Sequence, residues 1–318
     1  MDGIVAVTYR CNCRCLMCET WRHPSRPEAE IAPQLLEKLP PLVRLNVTGG
    51  EPFLREDLDR ILSIVKRKAK RVVISSNGVL TDRTLRVMSR HRDVGVRISF
   101  DGMSATHEAI RGVPGIHHRA LETLRGLKSL GIRDLGIAVT VSDQNAGELV
   151  DLYRLARREG VELATAILHN AYYFHKTDNR IEDPAVVQAG IEPLIDAYLA
   201  SSSPKDWFRG YFTRGLVEHL HGRKRLLKCT MARDSFFVDP FGLVRPCNVM
   251  DHPFGNLNDE SFEALWTGAR ADKARRRVEC CPENCWMIGS VGHLMRRRIW
   301  EPFAWIATRK WLKRREEA

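Results

Sequence analysis

The sequence has no long hydrophobic run and no secretory leader. No segment approaches the ~20 apolar residues that a membrane-spanning helix needs. A strand-like run begins at residue 3, which leaves no room for a cleavable signal. The nine cysteines are odd in number and grouped towards the two ends of the chain, which argues against a disulfide framework. We therefore expect a cytoplasmic protein whose cysteines bind metal.

The size and charge of the chain set further limits. With 318 residues, 44% of them hydrophobic, it can bury one large core and carry a smaller appendage. The net charge of +11 predicts an anionic partner such as phosphate, nucleic acid or acidic lipid, without choosing among them.

A cysteine-rich loop lies within Val7–Cys18. Cys11, Cys15 and Cys18 have the spacing C-x3-C-x2-C, and thiolates are the usual ligands of iron-sulfur clusters. Three ligands leave one iron of a four-iron cluster open, and an open position is typical of catalytic metal sites. Cys13 has the wrong spacing and is predicted to be a bystander. A zinc site with a fourth ligand nearby and chance clustering are the alternatives.

Short β-rich runs alternate with helical patterns such as Leu58–Arg67 and Ala120–Leu130, which indicates a parallel sheet. The predicted strands are Gly3–Thr8, Val43–Thr48, Arg71–Ser76, Gly95–Phe100, Leu135–Val141 and Val161–Leu168. The strand count allows a partial barrel or an open doubly wound sheet.

Polar and glycine-rich loops follow these strands. TGGEP follows the second strand, SSNG the third and SFDG the fourth, while Leu168–Asn170 ends the sixth. In parallel α/β folds the carboxyl ends of the strands carry the functional residues. A binding site is therefore predicted at this edge.

The cysteine spacing and the loops behind it resemble the radical S-adenosylmethionine (SAM) superfamily, with Met17 where that family usually has an aromatic residue. The resemblance implies a partial (β/α)6 barrel over residues 1–182, a 4Fe-4S cluster on Cys11, Cys15 and Cys18, and bound SAM. It assigns the cofactor contacts to Gly49, Gly50, Glu51, Ser76, Asn77, Ser99, Asp101 and Arg111. For Arg111, a solvated charge at a helix end is the alternative.

Residues 183–228 are predicted to be a helical connector, interrupted at Ser201–Pro204. The aromatic residues Trp207, Phe208, Tyr211 and Phe212 follow the break. A packed hydrophobic stripe is the favoured interpretation, and a lid over the barrel is the alternative.

A second cysteine group occupies residues 229–290, around the predicted hairpin FFVDPFGLVRP and the short helix SFEALW. It resembles the SPASM or twitch extension of the same superfamily in its single-cluster form. The resemblance implies a second 4Fe-4S cluster, for which we favour Cys229, Cys247, Cys281 and Cys285, with Cys280 able to replace Cys281. A four-cysteine zinc knob is the alternative.

Residues 291–318 combine tryptophans with Lys and Arg, and two interpretations stay open. The segment suits an interfacial helix on an anionic membrane, and it equally suits a helix docked on the protein's own core. Nucleic-acid binding has no supporting motif, and we expect none.

The resemblance implies reductive cleavage of SAM to a 5′-deoxyadenosyl radical, which takes hydrogen from an unactivated carbon. We expect a small-molecule or lipid-linked substrate, a net oxidation through the second cluster, and a reductant such as flavodoxin or ferredoxin. The alternatives are a peptide-modifying maturase and a non-enzymatic iron-sulfur or zinc protein that carries electrons or binds a partner.

Overall fold

The computed structural model describes the backbone of residues 1–316 and the side chains of residues 1–310. The strands are β1 (Asp2–Ala6), β2 (Leu42–Thr48), β3 (Ala69–Ser76), β4 (Gly95–Ser99), β5 (Leu135–Val141), β6 (Glu162–Ile167), β7 (Ser235–Val238), β8 (Leu243–Arg245) and β9 (Gly255–Asn256). The α-helices are α1 (Leu58–Lys68), α2 (Thr81–Met88), α3 (Ser104–Arg111), α4 (Ile116–Ser129), α5 (Leu149–Glu159), α6 (Pro184–Ala200), α7 (Pro204–Leu220), α8 (Phe262–Thr267), α9 (Ala269–Glu279), α10 (Ile288–Arg297) and α11 (Trp300–Glu316).

All these strands belong to one sheet, in the order β6-β5-β4-β3-β2-β1-β7-β8-β9. Strands β1 to β6 are parallel, and helices α1 to α5 provide the crossovers between β2 and β6. The predicted partial (β/α)6 barrel is therefore confirmed.

The two faces of the barrel sheet have different environments. On the outer face, Leu45, Ile74 and Ile98 are buried beneath the helices. Helix α1 shows why, because its apolar residues recur at helical spacing and are all buried; they are Leu58, Ile61, Leu62, Ile64 and Val65. On the opposite face, which we call the inner face, Asn46 and Ser75 stay partly exposed. The inside of the barrel is therefore open to solvent.

The predicted strands are confirmed, with ends shifted by at most two residues. The predicted hairpin is β7 and β8, and Gly242 in its turn has φ of 84°. The sequence did not indicate that β7 pairs in parallel with β1 and so extends the barrel sheet. Phe236, Phe237 and Val238 are fully buried, as expected for a strand covered on both faces.

The predicted connector is the helix pair α6 and α7, and the break between them falls at residues 201–203. Tyr211 and Phe212 are buried in the main core, with Trp207 and Phe208 packed against it. The aromatic residues therefore form a packed hydrophobic stripe, which was the interpretation that the sequence favoured.

The C-terminal helix α11 packs on the core at one part and is exposed at its start. Ile306 is buried, and the ring centroid of Trp305 lies 5.8 Å from that of Tyr211 on α7. In contrast, Trp300 is 76% exposed and Phe303 57% exposed. The side chains of Trp311, Leu312 and the basic residues after Lys310 lie outside the described residues. Among the described helices, none has the length and apolarity needed to cross a bilayer.

Candidate active site

The cysteine loop follows β1, at the edge where the parallel strands end. Cys13 and Cys15 are buried there, and Cys11 and Cys18 pack beside them. Met17 belongs to the same cluster, so an apolar side chain adjoins the thiols.

A buried carboxylate, Glu30, fixes the start of this loop. It accepts hydrogen bonds from Thr8, from Ser25 at 2.6 Å and from Arg10 at 2.9 Å, while Arg55 Nη1 lies 3.3 Å away. Removing one partner would leave charge or polar groups unpaired in a buried place, which is costly. Sequence reasoning missed Glu30 because no local pattern connects it to the loop.

Arg111, the last residue of α3, joins the loop after β4 to the cysteine loop. Its Nε donates to Asp101 Oδ2 at 2.5 Å, and its Nη1 lies 3.7 Å from Cys15 Sγ. Burial lowers the pKa of Arg111, but the Asp101 carboxylate and the Cys15 thiol outweigh it and raise that pKa above its ordinary value. Arg111 is thus a buried ion-pair partner and not a solvated charge at a helix end.

Asp101 is itself completely buried and firmly oriented. Its second carboxylate oxygen accepts a hydrogen bond from the backbone N–H of Thr140 at 2.8 Å, and its carbonyl accepts one from Asn145 at 3.0 Å. Neither Thr140 nor Asn145 was predicted, because no motif stands out at the end of β5, where Thr140 lies, or in the loop after it, where Asn145 lies.

Gly49 and Gly50 are required by close backbone packing. A Cβ on Gly49 would lie 2.6 Å from the carbonyl oxygen of Thr8, and one on Gly50 would lie 2.2 Å from that of Arg10. These distances are too short for any other residue, so the loop after β2 can rest against the cysteine loop only if both positions are glycine.

Glu51 connects the loops after β2 and β3. Its buried carboxylate accepts hydrogen bonds from Ser76 Oγ at 3.0 Å and from the backbone N–H groups of Asn77 at 2.7 Å and Phe53 at 3.1 Å. Burial raises the pKa of Glu51 to about 7, although these hydrogen bonds lower it. The carboxyl group can therefore change its protonation near neutral pH.

Asn77 reaches the cysteine loop directly, because its Nδ2 donates to Asn12 Oδ1 at 2.6 Å. Ser99 is partly exposed on the inner face at the end of β4. The structure therefore gathers most predicted cofactor contacts around the cysteine loop and leaves Ser99 facing the barrel interior.

Two further contacts come from the segment after β6. Tyr173 donates its hydroxyl hydrogen to the carbonyl of Gly49, and Asn179 Nδ2 donates to the carbonyl of Met17 at 3.0 Å. Leu168–Asn170 were the residues predicted to line the site after the sixth strand. His169 instead packs against Phe174, with 5.1 Å between ring centroids. Only the position of Tyr173 and Asn179 behind a strand could have suggested them.

The thiols of the first loop differ in acidity. Cys13 lies within hydrogen-bonding reach of Cys11 and Cys15. Its hydrogen bond lowers the pKa of Cys15 to about 7, with help from Arg111 and against the effect of burial. Burial raises the pKa of Cys18 to about 11. Because the thiolate is the metal-binding form, Cys15 is a readier ligand than Cys18.

The second cysteine group is assembled from separate elements. Cys229 follows α7, Cys247 follows β8, and Cys281 and Cys285 follow α9. Burial raises the pKa of Cys285 to about 12, and the thiols of Cys247, Cys229 and Cys281 also raise it. These four thiols therefore lie within electrostatic range of one another, whereas Cys280 is exposed.

Arg225 places a positive charge beside the second group. It donates to the carbonyl of Cys285, its Nη1 lies 4.0 Å from Cys285 Sγ, and its Nη2 donates to Ser290 Oγ at 3.2 Å. Its guanidinium also lies over the ring of the buried Trp286.

The chemistry of these donors fits iron-sulfur clusters. A four-iron cluster takes one cysteine per iron, so its ligands stand apart around a common volume. Within the described part of the chain, no three His, Cys, Asp or Glu side chains are placed to hold a single metal ion.

The fold and the two cysteine groups thus describe a barrel enzyme with iron-sulfur clusters, and comparisons with known proteins agree. The family model of the radical SAM superfamily matches residues 5–156, and that of an iron-sulfur cluster-binding domain, SPASM, matches residues 229–286. The pre-heme d1 synthase of Dinoroseobacter shibae is 30% identical, over 82% of this chain and 72% of the relative. The mycofactocin maturase MftC of Mycobacterium ulcerans is 27% identical, over 90% of this chain and 79% of the relative.

A solved structure of native anSMEcpe, with bound AdoMet and a Cp18Cys peptide, has the same fold. Its TM-score is 0.65 at 18% identity, and the match covers 87% of this chain and 83% of that one. The chain therefore belongs to the radical SAM superfamily and carries a SPASM domain. Its cofactors are SAM, a 4Fe-4S cluster and the auxiliary iron-sulfur clusters that a SPASM domain binds.

Proposed function

We propose that Cys11, Cys15 and Cys18 hold the first cluster and that the loops around them hold SAM. The observation that carries this proposal is the direct connection of the cysteine loop to the loops after β2, β3 and β4. These connections run through Gly50, Asn77 and Arg111.

The residues that would contact SAM are those predicted from the sequence: Gly49, Gly50, Glu51, Ser76, Asn77, Ser99, Asp101 and Arg111. With Glu51 ionised, its carboxylate and the nearby backbone carbonyls suit an ammonium group. The Arg111 guanidinium, already oriented by Asp101, suits a carboxylate. When bound, the cluster and SAM supply a 5′-deoxyadenosyl radical that abstracts hydrogen from an unactivated substrate carbon.

For the auxiliary cluster we propose Cys229, Cys247, Cys281 and Cys285 as ligands. The mutual influence of their thiols and the exposure of Cys280 support this choice. A cluster at this place would accept an electron from the substrate and make the reaction a net oxidation. The external reductant would be a small protein of the flavodoxin or ferredoxin type.

We propose a small molecule as the substrate. The likeness to a pre-heme d1 synthase supports this choice, since it covers most of both chains. A peptide-modifying maturase is the second candidate, supported by the likeness to MftC and by the peptide in the structure of anSMEcpe.

We further propose that the start of α11 touches a membrane surface. Ile299, Trp300 and Phe303 are all at least 47% exposed, and Arg296–Arg298 lies beside them. Apolar side chains next to cations suit the boundary between acyl chains and anionic headgroups. The ion pair of Arg296 with Asp2, at 3.0 Å, puts this patch near the amino end of β1. The cysteine loop is at the other end of β1, so this contact favours a soluble substrate over a lipid-linked one.

Flotation with vesicles tests the membrane contact. Wild-type protein should float with vesicles of phosphatidylglycerol and phosphatidylcholine and should not float with phosphatidylcholine alone. The double variant Trp300→Ala/Phe303→Ala should lose flotation, whereas Val186→Ala, at an exposed apolar residue on α6, should retain it. Equal flotation of the double variant and wild type would contradict the proposal.

Cofactor cleavage tests the enzymatic proposal. After anaerobic reconstitution, dithionite and SAM should give 5′-deoxyadenosine without substrate, with about eight irons per chain. About four irons with cleavage would exclude the second cluster. An iron-loaded protein that does not cleave SAM would favour an electron carrier, and a colourless protein that binds zinc would contradict the whole assignment.

A further inference from the structure

The inner face of the barrel carries a row of charged side chains near the amino ends of its strands. Strand pairing places Asp2 opposite Arg44 and Arg44 opposite Arg71. Ser75, on the same face as Arg71, is opposite Arg97. Arg44, Arg71 and Arg97 therefore all face the barrel interior.

The nearby carboxylates already have partners. Asp134 pairs with Arg71 at 2.6 Å and with Arg97 at 2.8 Å. Glu162 pairs with Arg97 at 3.0 Å and with Arg209 at 2.6 Å. Both carboxylates are thus engaged by other cations, and neither forms an ion pair with Arg44 among the described residues.

Arg44 differs from its neighbours. Asp2, opposite it, pairs with Arg296 at 3.0 Å, and no hydrogen bond or ion pair is found for the Arg44 side chain among residues 1–310. Burial, together with the charges of Arg71, Arg296 and Arg97, lowers the pKa of Arg44 to about 10 against the opposing effect of Asp2. A partly buried guanidinium without a directly bonded counter-ion is unfavourable, and such local conflicts are expected at functional sites.

Between the site edge and Arg44 the inner face carries mainly small and polar side chains, together with the apolar Ile4 and Val73. The partly exposed ones on the inner face include Asn46, Thr48, Ser75, Ser99 and Ala138. Thr48, where β2 ends, lies four positions beyond Arg44, and a strand rises about 3.3 Å per residue. Arg44 therefore lies about 13 Å below the edge that carries the cysteine loop.

We propose that Arg44 binds an oxyanion of the substrate, a carboxylate or a phosphate, at the floor of the barrel. This inference rests on the proposed function, because it takes the bound anion to be part of the substrate. It deepens that function by naming the substrate's charge. The planar guanidinium fork binds either group through two hydrogen bonds. The reacting carbon, held near the cofactor, would lie roughly 13 Å from the charged group.

Anion binding to the reconstituted full-length protein tests the proposal without any turnover. Inorganic phosphate and succinate are titrated separately at constant ionic strength set with chloride, and the melting temperature is followed. We expect a saturable rise for at least one of them, and the anion that saturates at lower concentration identifies the group. Arg44→Gln should weaken this response at least about tenfold, because charge-assisted bonds are lost. Arg44→Lys, which keeps the charge without the fork, should fall between.

Arg60→Gln is the matched control, since Arg60 is an exposed arginine on α1. It should respond as wild type does. Without anion, Arg44→Gln should melt no lower than wild type, because it relieves repulsion among the arginines. The proposal would be overturned if Arg44→Gln and wild type responded equally to the anions, or if wild type did not respond. It would also be overturned if Arg44→Gln melted below wild type in the absence of anion. Protein that fails to cleave SAM but shows Arg44-dependent anion binding would disprove the proposed function and keep the anion site.

Discussion

The two cysteine groups differ in how much of the chain they would tie together. Cys11, Cys15 and Cys18 lie in one short loop, which Glu30 anchors on one side and Arg111 on the other. The second group joins elements from residue 229 to residue 285. Loop-closure entropy grows with the logarithm of length, which makes cross-linking the longer span worth about 2 kcal/mol more. We infer that the first cluster contributes mainly chemistry, while the second also stabilises the fold.

The largest expected effect breaks the first group. Replacing Cys11, Cys15 or Cys18 with Ala should abolish formation of 5′-deoxyadenosine. A four-iron cluster needs all three thiolates if one iron alone is to stay open for SAM. The melting temperature should change little, and about four irons should remain on the chain. Loss of all iron would show that the two clusters are not independent.

Breaking the second group should give the opposite pattern. Cys285→Ala should remove about four irons and lower the free energy of unfolding by more than Cys15→Ala does, by about 2 kcal/mol. Cleavage of SAM without substrate should continue. Cys280→Ala is the control at an exposed cysteine and should keep all iron. If Cys280→Ala lost the cluster and Cys281→Ala kept it, the ligand assignment would be reversed.

The first site also contains a group whose protonation affects stability. The pKa of Glu51 is about 7 in the folded protein against an ordinary value of 4.5, so the folded state holds this proton more tightly than the unfolded state. Stability should therefore fall as pH rises from about 4.5 to about 7, by about 3 kcal/mol, and then level off. Glu51→Gln, which cannot ionise, should lack this part of the pH dependence in unfolding experiments. Parallel curves for the two proteins would contradict the assignment.

Arg111 tests the link between the cysteine loop and the loop after β4. Lysine at this position cannot reach both Asp101 and Cys15, because a single ammonium replaces a planar fork. We expect Arg111→Lys to weaken SAM binding by about tenfold in equilibrium dialysis, which corresponds to about 1.4 kcal/mol. Arg125→Lys, in an exposed ion pair with Glu159, should bind SAM as wild type does. An unchanged affinity for SAM in Arg111→Lys would show that the cofactor carboxylate is bound by another residue.

The difference between the two groups also explains what the sequence could reveal. Strand positions and the first cysteine loop follow local patterns, so alternation and spacing were enough to predict them. Glu30 and Asn179 reach the cysteine loop and Tyr173 reaches the loop after β2 across intervening stretches of chain, and β7 joins β1 from the far end of the sequence. No local pattern encodes such contacts, because they depend on how distant segments pack. The proposed second ligand set has the same non-local character, which is why Cys280 and Cys281 could not be separated by spacing alone.

The smallest expected effect concerns Cys13, which shares the loop with the predicted ligands. It is 1% exposed and lies within reach of the Cys11 and Cys15 thiols, so position alone would allow it to bind iron. Its spacing argues against that role, and we expect Cys13→Ala to keep full iron content and SAM cleavage. The lost sulfur leaves a small cavity, which should cost about 1 kcal/mol in unfolding experiments. If Cys13→Ala lost the first cluster and Cys11→Ala kept it, Cys13 and not Cys11 would be a cluster ligand.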